Sequence, residues 1–183
     1  MMTVMTTLPW GRELTRDDLD ALPDDGHRHE LLDGVLVMSP APSLRHQVVT
    51  ANLYSALRAS CPDDLLVLFA PFDVVLARNT VLEPDLLVAR RSDFSDRDLP
   101  GPPLLAVEVL SPSTRRFDLL LKKDRFQVAG CPSNWVVDPD VPEIVAWELW
   151  DGTYAEVARA RGADNFRVIA PYAVELSPRD LVD

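Results

Sequence analysis

Three charged residues adjoin or interrupt apolar runs of the sequence: Asp85, Glu108 and Lys122. Two carboxylates can hold a divalent cation such as Mg²⁺, which polarises a phosphate and lowers the pKa of a bound water. A nearby ammonium group can orient that water and offset the negative charge that develops around the phosphorus. If the fold brings them together, these three side chains are suited to metal-assisted hydrolysis of a phosphodiester bond.

Glu108 is the only charged residue in the apolar segment 104–110, which has the character of a buried strand. Alternation along a strand places Glu108 on the same face as Ala106. A carboxylate on a covered sheet face is costly unless it is paired or bound to a metal. Two interpretations therefore stay open with equal weight, a metal ligand or one half of a buried ion pair with Arg115 or Arg116.

Asp85 follows Pro84 at the start of another predicted strand. Because Pro84 cannot donate a hydrogen bond to a sheet, Asp85 begins this strand or follows a bulge. Taken alone, an aspartate in this position is more often a turn residue. Glu30 begins a predicted hairpin, and taken alone it could be a solvated charge at a strand end.

Helical spacing separates Lys122 from its neighbour Lys123 in a helix predicted to end near Gly130. Lys122 shares a face with Leu119 and Phe126, and this face should pack on the sheet, whereas Lys123 lies on a more polar side. Lys122 is therefore predicted to point inward. The alternative is a buried stem with the ammonium group in water.

His46 shares the apolar face of a second predicted helix with Val49 and Leu53. This helix is predicted to run from Ser43 to about Ser60. A lone inward histidine is more often a hydrogen-bonded core residue than a ligand. His46 is therefore only a candidate supporting residue for the site.

The elements that must position these residues alternate between short strands and helices. Asp33-Gly34 and Asp151-Gly152 each lie between strand-like segments, which predicts one hairpin near each end of the chain. The order of elements predicts a mixed α/β fold, in which a central mixed β-sheet is flanked by helices. We expect a flexible arm over residues 1–12 and a single domain over residues 13–183.

Composition and charge restrict the classes of function. No apolar run in the 183 residues approaches the roughly 20 that a membrane span needs, and the first residues lack the features of a signal peptide, which predicts a cytoplasmic location. The net charge of −11 argues against a protein that binds nucleic acid irrespective of sequence, because phosphate neutralisation needs a basic surface. An enzyme that touches nucleic acid locally and holds a metal between carboxylates is not excluded.

Six segments, of which five contain the candidate site residues, occur in a characteristic order. They are Glu30-Leu31-Leu32-Asp33-Gly34, Ser39-Pro40-Ala41-Pro42-Ser43-x-x-His46, Pro84-Asp85-Leu86-Leu87-Val88, Val107-Glu108-Val109-Leu110-Ser111-Pro112-Ser113-Thr114, Asp118-x-x-x-Lys122 and Gly130-x-Pro132-x-x-Trp135-x-Val137-Asp138-Pro139. From about residue 14 to its end, the chain resembles the Uma-type family of restriction endonuclease-like proteins, within the PD-(D/E)XK nuclease superfamily. The fourth segment is the most specific of the six.

The resemblance implies a restriction endonuclease-like core and an enzyme that cleaves phosphodiester bonds. It implies Asp85 and Glu108 as ligands of Mg²⁺, for which Mn²⁺ can substitute, and Glu30 as an accessory acidic residue. The motif lysine, expected two residues after the glutamate, is Leu110 here, and the family's lysine has moved to the position of Lys122.

Two further comparisons with the family concern the helix that carries Lys122. Asp118, one turn earlier in the same segment, is a candidate supporting residue. Phe126 stands where the family usually has tyrosine, so the hydroxyl group expected beside Lys122 is missing.

The leading interpretation is a Mg²⁺-dependent endonuclease that contacts DNA locally and does not bind a membrane. A catalytically idle interaction module with the same fold is the alternative from a different class, and the acidic charge favours it. A hydrolase of RNA or of small phosphodiesters is a third interpretation, and a homodimer is left open.

Overall fold

The computed structural model describes residues 11–23, 25–111 and 117–182, with residues 117–119 described through their backbone alone. The helices are α1 (Arg16–Asp20), α2 (Leu44–Ser60) and α3 (Lys123–Val128), with a π-helix at Phe117–Lys122 and 3₁₀ turns at Arg91–Asp93 and Pro178–Leu181. The strands are β1 (Arg28–Leu32), β2 (Val35–Ser39), β3 (Leu65–Phe69), β4 (Asp73–Ala77), β5 (Thr80–Leu82), β6 (Leu86–Arg90), β7 (Asp98–Pro100), β8 (Leu105–Val109), β9 (Ser133–Asp138), β10 (Glu143–Trp150), β11 (Thr153–Arg161), β12 (Phe166–Val168) and β13 (Val174–Leu176).

These strands form two larger sheets and a two-stranded ribbon. The first sheet has the order β2-β1-β5-β4-β7, the second has the order β11-β10-β9-β8-β6-β3, and β12 pairs with β13. The second sheet is mixed, because β8 runs parallel to β9 and antiparallel to β6. The predicted mixed α/β fold is confirmed, together with the hairpins β1–β2 and β10–β11.

The six-stranded sheet is covered on both faces, which explains the continuous apolar run around Glu108. On one face, Val107 belongs to the same buried cluster as Leu53 of α2. On the other face, Ala106 belongs to a cluster that includes Phe126 of α3. Alternation along β8 therefore places Glu108 on the face that α3 covers.

Helix α2 begins where the sequence predicts, because the Oγ of Ser43 accepts a hydrogen bond of 3.2 Å from the backbone N–H of His46. Its buried residues Val49, Leu53 and Leu57 recur at a spacing of four. This stripe fixes the rotation of the helix on the sheet. The first turn of α2, with His46, is thereby set beside the six-stranded sheet.

The helix that carries Lys122 differs from the regular helix that the sequence predicts. Its first part, Phe117–Lys122, is a π-helix, and an α-helix follows from Lys123. A π-turn inserts an extra residue into the helical repeat and frequently occurs at functional sites. Lys122 and Phe126 are both buried despite this change of repeat.

The sequence does not reveal the shortest strands. Strands β5, β7, β12 and β13 have three residues each, too few to show a periodic pattern. The predicted arm at residues 1–12 lies outside the described residues up to residue 10. Within the described part of the chain, no helix combines the length and the apolar character that crossing a membrane requires.

The glycines of the two hairpin turns allow a matched test of local packing. Gly34 and Gly152 have φ angles of 76° and 77°, and each follows an aspartate with positive φ. A Cβ atom at Gly34 would lie 2.5 Å from the Cβ of Glu13, whereas a Cβ at Gly152 would meet nothing within 4 Å. Left-handed strain alone amounts to about 1–2 kcal/mol for a non-glycine residue.

We therefore expect Gly152→Ala to lower the free energy of unfolding by about 1–2 kcal/mol. Gly34→Ala should lower it by about a further 1–3 kcal/mol, because overpacking adds to the strain. Urea unfolding of both variants measures the difference. Equal losses of stability would show that Glu13 moves away from the added methyl group at no cost, contrary to its close contact with Gly34 in the structure.

Candidate active site

The ammonium group of Lys122 lies between two carboxylates. Its Nζ is 2.8 Å from Oε1 of Glu30 on β1 and 3.3 Å from Oε1 of Glu108 on β8. Only 4% of the Lys122 side chain is exposed. The alternative in which this ammonium reaches into water is therefore wrong, and Lys122 joins the two larger sheets through one ion-pair network.

Glu30 is fully buried, so its interpretation as a solvated charge at a strand end is wrong. Its Oε1 accepts a hydrogen bond of 2.7 Å from the backbone N–H of Glu83. The hydroxyl of Ser39 donates to Oε2 at 3.4 Å. These contacts fix the carboxylate that faces Lys122.

Asp85 lies directly before β6 and is close to the backbone of the neighbouring strand β8. Its Oδ2 accepts a hydrogen bond of 2.8 Å from the N–H of Val109, the residue after Glu108. The pairing of Leu86 with Val107, continued by one residue, also places Asp85 opposite Glu108 in the register of β6 and β8. The structure thus brings Asp85 next to Glu108 where the two neighbouring strands meet.

The imidazole of His46 is a second hydrogen-bond partner of Asp85. Its Nε2 lies 3.1 Å from Asp85 Oδ2, and the hydroxyl of Thr50 donates to the backbone carbonyl of His46 at 2.8 Å. Burial alone would raise the pKa of Asp85, but His46, the Val109 N–H and the charge of Lys122 together lower it below its ordinary value. The carboxylate form of Asp85 is therefore favoured.

Sequence reasoning missed the ion pair between Arg28 and Glu83 beside this site. The Nε of Arg28 donates to Glu83 Oε2 at 2.8 Å, and Nη2 donates to the Glu83 carbonyl at 2.6 Å. Nη1 lies 3.6 Å from Oδ1 of Asp85. No local sequence signal could have found this pair, because Arg28 and Glu83 are 55 positions apart in the chain.

The neighbouring Lys123 has a different environment from Lys122. Its Nζ lies 3.6 Å from the ring centroid of Trp147 on β10, an arrangement that stabilises a cation on an aromatic face. Burial lowers the pKa of Lys123, and Glu156 offsets part of this effect. The two lysines therefore differ in direction and partner, as the sequence predicts.

Three residues that the sequence predicts near the site, Asp118, Arg115 and Arg116, are not among the side chains that the structure describes. Asp118 belongs to the π-helix, and its side chain lies outside what the structure describes. Arg115 and Arg116, the predicted ion-pair partners of Glu108, also lie outside the described residues.

The charges and donor atoms of the site suit a hard divalent cation. Among its described residues, four carboxylates, of Glu30, Glu83, Asp85 and Glu108, meet the guanidinium of Arg28 and the ammonium group of Lys122. Within the described residues, no group of three or more His, Cys, Asp or Glu side chains is arranged to hold a metal. The carboxylates of the site suit Mg²⁺ instead, because Mg²⁺ keeps several waters and is usually bound through one or two carboxylates plus substrate phosphates.

Comparison with known proteins identifies the family of the chain. Residues 16–178 match the Uma2 family, described as "Putative restriction endonuclease". The chain belongs to the Uma2 family. Every residue of the candidate active site lies inside the matched segment, and Uma2 membership supports a nuclease, a hydrolase with nucleic acid as its substrate.

A solved structure shows the same fold as this Uma2 protein. It is the crystal structure of "a putative nuclease belonging to DUF820" from Anabaena variabilis, with a TM-score of 0.73 and 16% sequence identity. The similarity covers 92% of this chain and 97% of the other. The predicted nuclease-like architecture is therefore confirmed. Comparison with the curated proteins gives no match.

Proposed function

We propose that this Uma2 protein is a Mg²⁺-dependent endonuclease that hydrolyses phosphodiester bonds of DNA. One observation carries the proposal: the buried Lys122 ammonium lies within ion-pair distance of Glu30 and of Glu108, the residue opposite Asp85 in the register of β6 and β8. Buried charges of both signs that converge from separate strands and a helix are typical of a catalytic site.

Asp85 and Glu108 are the residues that would hold the metal. When bound, Mg²⁺ would polarise the phosphate and lower the pKa of a water molecule. His46 and the Val109 N–H hold Asp85 through hydrogen bonds to Oδ2. The other carboxylate oxygen, Oδ1, is the one that we assign to the metal.

Lys122 has the role of an electrostatic catalyst in this proposal. Its ammonium offsets the negative charge that increases on the phosphate oxygens as water attacks, and it can orient the attacking water. Glu30 positions Lys122, because its Oε1 lies 2.8 Å from Nζ and is itself held by the Glu83 N–H. The role of Glu30 is therefore to preorganise the lysine.

The same ion pairs favour a second candidate function. A network in which Lys122 is shared by two carboxylates can be purely structural, and the net charge of −11 is unfavourable for extended contact with nucleic acid. A catalytically idle interaction module would keep these contacts. The cytoplasmic location, the homodimer and the hydrolysis of RNA or small phosphodiesters stay predictions.

A cleavage screen separates these functions. We expect the purified protein to cleave supercoiled plasmid, linear duplex or single-stranded DNA with Mg²⁺ or Mn²⁺, and to lose this activity in EDTA. Asp85→Asn, purified identically, controls for a contaminating nuclease and should be inactive. Cleavage of RNA alone would change the assigned substrate, and no cleavage of any substrate would favour the interaction module.

A further inference from the structure

A cavity beside the candidate active site is not used by the residues that would hold the metal. Its volume is about 630 Å³, and its lining includes Arg28, Met38, Ser39, Pro40 and Pro42. Volumes of this order are common for small-molecule sites. Two of these lining residues, Arg28 and Ser39, also contact residues of the candidate site, so the cavity lies next to it.

The polar end of this cavity is tied to the candidate site by both of those residues. Arg28 approaches Asp85, with 3.6 Å between Nη1 and Oδ1, and Ser39 donates a hydrogen bond to Glu30. Because 3.6 Å exceeds a hydrogen-bond length, Nη1 forms an ion pair with Asp85 without a hydrogen bond. Arg28 Nε and Nη2 are meanwhile fixed by Glu83, so the guanidinium is preorganised beside the site.

The other end of the cavity is apolar and faces solvent. Met38 is 58% exposed, and the segment that contains Pro40 and Pro42 connects β2 to α2, the helix that carries His46. An exposed thioether and rigid pyrrolidine rings offer a flat apolar surface for a sugar or a base.

We propose that this cavity is a nucleotide subsite, in which Arg28 binds the phosphate next to the scissile one and Met38 and the prolines pack against that nucleotide. A planar guanidinium suits bidentate contact with phosphate oxygens. The subsite explains how a protein with a net charge of −11 can engage nucleic acid through local contacts. It rests on the proposed function for the nature of its ligand.

The chain offers a matched control for each half of the subsite. Arg45 is exposed, pairs with Asp140 at 3.3 Å and does not line the cavity. Val35 lies on the same strand as Met38 and is 62% exposed, but it does not line the cavity. Arg28→Lys is therefore compared with Arg45→Lys, and Met38→Ser with Val35→Ser.

Fluorescence anisotropy with a short labelled DNA strand measures the affinity of the protein for the strand. The assay contains Ca²⁺ as the oxygen-binding cation, and a gel checks that the strand stays intact. Loss of bidentate contact in Arg28→Lys should weaken binding about tenfold. Met38→Ser should weaken binding about fivefold because apolar contact area is lost. Both controls should bind the strand like the wild type.

The double variant Arg28→Gln/Glu83→Gln guards against misfolding, because it removes both charges of the Arg28–Glu83 ion pair. It should retain the wild-type circular dichroism spectrum and bind at least as weakly as Arg28→Lys. The subsite is overturned if wild type does not bind the strand, or if Arg28→Lys and Met38→Ser bind like their controls. If binding depends on Arg28 and Met38 but wild type cleaves nothing, the proposed function fails and the subsite stands.

Discussion

Replacement of Lys122 by methionine is expected to reduce DNA cleavage by about 100-fold or more, the usual loss when a positioned catalytic group is removed. Methionine keeps an unbranched side chain of similar length but removes the ammonium that lies between Glu30 and Glu108. Metal binding should persist or strengthen, because a cation that competes for these carboxylates is gone. Initial cleavage rates and Mn²⁺ calorimetry measure the two effects separately.

The same variant should also be less stable. Removing one partner of a buried ion pair leaves uncompensated charge, which typically lowers the free energy of unfolding by about 3–5 kcal/mol. Mn²⁺ should then raise the melting temperature of Lys122→Met more than that of the wild type, because the metal supplies the missing positive charge. The cleavage assay is therefore carried out at saturating Mn²⁺, where the Lys122→Met variant is folded.

Lys123→Met is the control, since it changes net charge equally. Lys123 lies over the Trp147 ring instead of between carboxylates, so its loss should change cleavage little. An equal loss of activity in both variants would mean that the lysines only attract substrate, and it would contradict the role assigned to Lys122.

Glu108→Gln is expected to abolish both cleavage and tight Mn²⁺ binding while the fold is retained. Glutamine preserves the size of the side chain in β8 but not its negative charge. Lys122 keeps its contact with Glu30 at 2.8 Å, which limits the structural damage. Cleavage assays, calorimetry and thermal melting with and without Mn²⁺ give the three readouts.

The exposed Glu175 provides the matched control for this substitution. Glu175→Gln removes the same charge and should bind Mn²⁺ and cleave DNA like the wild type. The opposite pattern for Glu108→Gln, a loss of stability with metal binding intact, would mean that Glu108 is only half of an ion pair.

The local part of this architecture is predictable from the sequence because it depends on short-range rules. Asp33-Gly34 predicts the first hairpin, and the structure gives both residues positive φ angles. Alternation around Glu108 and the difference between Lys122 and Lys123 follow from strand and helix periodicity. These rules indicate which side chains face the interior.

The partners of the buried charges could not be predicted, because they are distant in sequence. No periodic pattern indicates that Glu30 of β1 meets Lys122, or that Arg28 pairs with Glu83. These contacts depend on how the two larger sheets are placed against each other. The π-helix before α3 was also missed, because an inserted residue shifts the helical repeat without a distinctive composition.

The central claim, that Asp85 and Glu108 form a metal site for hydrolysis, is tested most directly by calorimetric titration of Mn²⁺ into wild type and Asp85→Asn. The exposed Asp96, changed to asparagine, is the charge-matched control. We predict one Mn²⁺ bound per wild-type or Asp96→Asn chain and no measurable binding to folded Asp85→Asn. Equal Mn²⁺ binding by all three proteins, or none by the wild type, would contradict the claim.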